Sequence, residues 1–112
     1  MRIEKELMRG AGPAAVMMLL ESGEKYGYEL VQLLDSQSSG VLAMGQSTLY
    51  PLLYNLQAKG IIASRMENSE NGRPRKYYRL TKKGIKELTR HRKQWEAVSM
   101  AMTKLGVTGN AR

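Results

Sequence analysis

The chain has no cysteine, which excludes a disulfide framework, a thiolate metal site and a thiol nucleophile. It has a single histidine, His91, no phosphate-cradling glycine loop and no cluster of carboxylates. No acid–base or nucleophilic constellation can be assembled from what remains, so an enzyme is not expected. Long apolar runs are missing as well. The longest, Ala14 to Leu20, falls well short of the roughly 20 residues a membrane span requires and reads as a buried helix. The opening residues, Met-Arg-Ile-Glu-Lys-Glu, alternate in charge and do not lead into a secretory core. These absences lead us to expect a cytoplasmic protein with no membrane partner, no metal and no cofactor.

What is present is positive charge, and it is concentrated. The 112 residues allow one hydrophobic core and carry a net charge of +8. Residues 1–72 hold six Lys/Arg and eight Asp/Glu, whereas residues 73–93 hold ten Lys/Arg against Glu87 alone. A mildly acidic body with one dense basic segment is the footprint of a protein that grips a polyanion. The plainer alternative is a solvated face around which helical winding disperses the charge.

Periodicity places this segment in a fold. A turn or two of helix over residues 3–9 is expected to be bent by Gly10 to Gly12, and Pro13 then suits the first turn of the buried helix. A second helix spans about Tyr26 to Ser36, with Tyr26, Leu30, Leu33 and Leu34 on one stripe. A third runs from Ser47 to Lys59, with Leu49, Leu52, Leu53 and Leu56 at helical spacing, and Gly60 closes it. Ile62, Ser64 and Met66, then Tyr78 and Leu80, alternate as two strands around an Asn71-Gly72 turn. Thr81 caps a last helix from Lys82 to Leu105. The order predicts a mainly α fold with a small β-hairpin: a winged helix-turn-helix over residues 1–80, a C-terminal dimerisation helix over 81–105 and a flexible tail over 106–112.

Three sets of residues carry the candidate chemistry. The third helix has short polar groups and a tyrosine at its start: Gln46, Ser47, Thr48 and Tyr50, with Asn55 further along. Such residues at a recognition-helix tip reach base edges and phosphates, although Ser47 or Thr48 could instead simply cap the helix. The hairpin presents Arg73, Arg75 and Lys76, where arginine enters the minor groove or pairs with phosphate. Lys82 and Lys83 stand against the helix dipole, a small cost that nearby phosphates would relieve. The last helix repeats Leu88, His91, Trp95, Val98, Met102 and Leu105 at heptad spacing, a seam aimed at a second copy. Trp95 either anchors that interface or stacks on a flat apolar ligand, and the methionines could line a pliable pocket around it.

Tyr26-Gly27-Tyr28-Glu29-Leu30, Ser47-Thr48-Leu49-Tyr50-Pro51-Leu52-Leu53 and the run Asn71-Gly72-Arg73-Pro74-Arg75-Lys76-Tyr77-Tyr78-Arg79-Leu80-Thr81 together resemble the PadR-like transcriptional regulators. The resemblance covers about residues 5–105 and matches the short subgroup with one C-terminal helix. It implies a homodimeric repressor that binds an inverted-repeat operator in double-stranded DNA. Thr48 and Tyr50 would enter the major groove, and Arg73, Arg75 and Lys76 would lie on the backbone or minor groove. The last helix would pack on the partner's first helix. A planar aromatic effector would bind at Trp95 with Met8 and Ser99. Two departures stand out. Gly12-Pro13 interrupts a first helix that is continuous in the family, and Gly45-Gln46-Ser47 replaces its common Ser-Pro-Gly. The rival functions are a winged-helix protein-interaction module without specific DNA binding, and an RNA binder that would lack an aromatic sheet surface.

Overall fold

The computed structural model describes residues 1–106; the rest of the expected tail, residues 107–112, lies outside the described residues. The elements are α1 (Lys5–Leu20), β1 (Lys25–Tyr26), α2 (Gly27–Gln37), α3 (Gln46–Ala58), β2 (Ile62–Asn68), β3 (Pro74–Leu80) and α4 (Lys82–Leu105). Helix content dominates, and the antiparallel sheet has the order β1-β3-β2. This is the winged-helix architecture the periodicity predicts.

The core forms where the apolar faces meet. Val16, Met17 and Leu20 of α1 pack with Leu30 and Leu34 of α2 and with Leu49, Leu53 and Leu56 of α3. Ile61, Ile62 and Tyr78 close it from the hairpin, and Leu88 from α4. At roughly 25 cal/mol per Å² of apolar surface removed from water, this cluster supplies the main drive for folding.

α1 is continuous from Lys5 to Leu20 with Pro13 inside it, so the expected break at Gly10 to Gly12 does not occur. Pro13 donates no N–H to the Arg9 carbonyl, and that lost bond is tolerated because the helix is held by its buried face. Gly12 is buried, and a Cβ there would lie 3.0 Å from Leu52 Cδ1. Its small size therefore serves the approach of α1 to α3 rather than a bend. Pro51 likewise lies inside α3, because that helix begins at Gln46.

The hairpin register runs from Ile62 opposite Leu80 to Asn68 opposite Pro74. The short β1 was not expected from the sequence. It pairs Lys25 with Tyr78 and Tyr26 with Tyr77, and so ties the entrance of α2 to the wing. α4 starts from a tight junction. The Thr81 hydroxyl donates to the Gly60 carbonyl (2.6 Å) and accepts from the Gly84 N–H (3.0 Å).

Leu88, expected on the dimer seam, is instead in the chain's own core at 2% exposure. The first turns of α4 pack on α1, so a heptad spacing there faces an internal neighbour. Beyond that point the helix leaves the body: Trp95, Val98, Met102 and Leu105 are all exposed. No helix among the described residues is long and apolar enough to cross a membrane.

Candidate nucleic-acid interface

α3 presents its first turn to solvent. Gly45 is the N-cap, and its carbonyl accepts from the N–H of Thr48 (3.1 Å) and of Leu49 (3.0 Å). No side chain serves as the cap, so the Ser47 and Thr48 hydroxyls are not spent on capping. Gln46, Ser47, Thr48 and Tyr50 are exposed. With about 3.6 residues per turn, the face opposite Leu49, Leu53 and Leu56 is centred on Ser47, Pro51 and Tyr54. Tyr54 is 75% exposed and belongs on that face.

The candidate residues of α3 do not all point the same way. Tyr50 turns toward the wing. Asn55 turns away from it, lining a cavity of about 550 Å³ with Arg9, Pro13, Glu87 and His91. Thr48 borders a third depression, beside Ile3, Met8 and Met44. The structure thus brings Tyr50 to the wing cations and separates Asn55 from them.

Tyr50 lies against the start of α2, where Gly27 makes room for it. A Cβ on Gly27 would sit 2.6 Å from the Tyr50 hydroxyl oxygen and 2.8 Å from its ring. Burial, and secondarily the nearby Tyr50 phenol, pushes the Tyr78 hydroxyl's pKa up. Gly27→Ala is expected to displace the Tyr50 ring and lower duplex affinity about tenfold, near 1.4 kcal/mol. Stability should change by less than about 1 kcal/mol, because alanine favours the helix. Binding assays and thermal melts of the same variant check both halves of this expectation.

The wing is a tight ribbon. Its turn is closed by Ser69 N–H to the Arg73 carbonyl and by Gly72 N–H to the Ser69 carbonyl, each at 2.9 Å. Gly72 takes the left-handed φ of +80° that the turn requires. Arg73, Arg75 and Lys76 are exposed and form no ion pair among the described residues. The Arg75 guanidinium lies 4.5 Å over the Tyr26 ring, and the Lys76 ammonium 5.9 Å from that of Tyr78. Other cations are engaged. Arg65 pairs with Glu24 and Glu67, and its hydrogen bonds hold the Glu24 carboxyl below the usual carboxylate range. Arg90 pairs with Glu87, and Arg92 with Glu21. Lys83 donates to the Lys59 carbonyl at 2.7 Å. It thereby caps the end of α3, so its place at the start of α4 needs no phosphate to explain it.

Tyr50 and the wing border one open groove of about 480 Å³, lined also by Tyr26, Gly27 and Tyr28. The wing side contributes Asn71, Arg73, Pro74, Arg75 and Lys76. A recognition helix and a cationic ribbon on the two sides of one groove are the parts with which a protein holds a duplex. The proposed effector residues are not grouped within one chain: Met8 packs on the core, while Trp95 and Ser99 are exposed along α4.

The fold and this surface define a winged-helix DNA-binding domain. The chain belongs to the PadR-like family of transcriptional regulators, whose family model matches residues 16–90. Solved structures agree. A transcriptional regulator from Clostridium thermocellum is 28% identical, with 93% of this chain and 98% of that one covered and a TM-score of 0.82. A PadR family transcriptional regulator from Eggerthella lenta is 35% identical over 89% of this chain and 85% of that one, TM-score 0.77. A PadR-like transcriptional regulator from Bacillus cereus is 28% identical over 90% and 96%, TM-score 0.79. The chain is accordingly a DNA-binding transcriptional regulator and not an enzyme.

Proposed function

We propose that the chain is a cytoplasmic repressor that works as a homodimer on an inverted-repeat operator. One observation carries the DNA contact: Tyr50 and the wing cations Arg73, Arg75 and Lys76, which form no ion pair among the described residues, share a single groove. In this reading the tip of α3 (Gln46, Ser47, Thr48 and Tyr50) enters the major groove, and the wing takes phosphates or the minor groove. Residues 1–80 bind DNA and residues 81–105 dimerise, with the first turns of α4 doubling as core.

Two apolar faces left uncovered among the described residues support the dimer. Trp95, Val98, Met102 and Leu105 run along the outer part of α4, and Leu7 and Met18 are exposed on α1 with Ala11 and Ala15 between them. Packing α4 of one copy on α1 of the other covers both, and the two-fold axis is mirrored in palindromic half-sites. Trp95 then lies on the seam between copies, where a planar aromatic effector would stack and release the DNA.

Footprinting and salt-titrated binding on the DNA upstream of the chain's own gene test this reading. Site-specific protection that is weakened by both Thr48→Ala and Arg75→Ala is the expected result. Absent or salt-insensitive binding favours the protein-interaction module. The indole fluorescence of Trp95, the only tryptophan, should fall on titration with planar aromatics; no response to any of them contradicts the effector.

A further inference from the structure

The wing arginine is packed against an aromatic ring. Arg75 lies 4.5 Å over the Tyr26 ring, and Tyr26 in turn meets Tyr77 edge-on, with centroids 5.7 Å apart and planes at 63°. Arg65 lies 5.0 Å from the Tyr77 ring and is held by Glu24 and Glu67. The result is a layered stack: carboxylates, arginine, tyrosine, tyrosine, arginine. Its inner arginine is neutralised, and its outer one has no carboxylate partner among the described residues.

Tyr26 is the fixed layer. Its backbone pairs with Tyr77 in the sheet, its N–H donates to Glu29 Oε1 at 3.3 Å, and it is the N-cap of α2. The next residue, Gly27, leaves the space that Tyr50 occupies. One dipeptide therefore stands behind both the α3 tip and the wing.

We propose that Tyr26 is a positioning residue for DNA binding, its ring holding the Arg75 guanidinium at a fixed place beside Tyr50. An aromatic face suits this task because it attracts the cation without neutralising it. The guanidinium N–H groups then remain available to a phosphate, whereas a carboxylate in the same place would occupy them. A stacked arginine also has less rotamer freedom to lose when it meets the duplex. Arg65, already engaged by two carboxylates, serves as the buttress rather than as a contact.

This inference rests on Arg75 touching DNA, so the test separates the two. Binding to a short mixed-sequence duplex is measured across a salt series for the full chain and for Tyr26→Leu, Tyr26→Phe, Arg75→Ala and the Tyr26→Leu/Arg75→Ala double variant. Tyr26→Leu is expected to weaken binding about threefold, the worth of an exposed cation–π contact, with an unchanged salt slope. Tyr26→Phe keeps the ring and should bind as the parent does. Arg75→Ala should lower the slope by about 1.8, one phosphate's share from each protomer of the dimer, and adding Tyr26→Leu to it should cost nothing more. If Arg75→Ala changes neither affinity nor slope, the contact itself is refuted. If Arg75→Ala weakens binding but Tyr26→Leu is neutral, or costs the same with and without Arg75, the positioning role is overturned.

Discussion

Replacing Arg73, Arg75 and Lys76 together with alanine is expected to weaken duplex binding by about a hundredfold at moderate salt. It should also reduce the slope of log affinity against log salt by about 5.4 for the dimer, or about 0.9 for each phosphate no longer neutralised by its two wings. The expectation follows from how the cations of residues 73–93 are used. Arg90 and Arg92 are paired with Glu87 and Glu21, and Lys83 with a backbone carbonyl. The three on the wing have no carboxylate partner among the described residues. Folding therefore gains little from them, and the melting temperature of the triple variant should stay close to that of the parent. A control that removes Arg90, Lys93 and Lys104 lowers net charge equally and should lose far less affinity. Equal losses in the two variants would mean that total charge, and not the wing, sets binding.

The second large effect concerns folding. Gly84→Ala is expected to destabilise the chain by about 3 kcal/mol, in the upper range for overpacking a closed site. A Cβ at Gly84 would lie 2.0 Å from the Ile61 carbonyl oxygen and 3.1 Å from its carbon. Backbone cannot yield as a side chain can, and this oxygen also accepts the Thr81 N–H at 3.1 Å. The clash therefore falls on the joint between the wing and α4. Alanine's better helix propensity returns at most about 1 kcal/mol. For a domain of this size the melting temperature should drop by roughly 15 °C. A Gly84→Ala variant as stable as the parent would mean that α4 does not start against Ile61 as described.

The elements with strong periodicity were the legible ones. The leucines of α3, the alternation through the hairpin and the Thr81 cap each carry a local signal, and the structure places them as that signal implies. The misses have physical reasons. β1 is two residues long, too short for any alternation, and exists only because β3 lies beside it. Leu88 fits a heptad equally well whether it meets a second copy or its own α1. Pro13 has the local preference of a helix start, but Gly12 just before it and Ala14, Val16, Met17 and Leu20 after it are buried in one face, and packing outweighs the lost hydrogen bond.

The candidate site was legible in composition but not in arrangement. Spacing alone identified the cations of the wing and the polar tip of α3. It could not show that Asn55 faces a different cavity from Tyr50, or that Lys83 is occupied by the end of α3. Tyr26 and Gly27 read as the opening of a helix. Their contacts with Arg75 and Tyr50 join residues distant in sequence, and only the folded chain brings them together.

Because the chain has no cysteine of its own, single cysteines can report directly on where the duplex lies. A DNA-cleaving reagent attached to Ser47→Cys at the tip of α3, and separately to Arg73→Cys at the wing, should cut one upstream fragment within the same half-site. Each pattern should repeat once, related by two-fold symmetry. Cleavage from only one of the two positions, or from both at unrelated places, would contradict a helix and a ribbon gripping one duplex together.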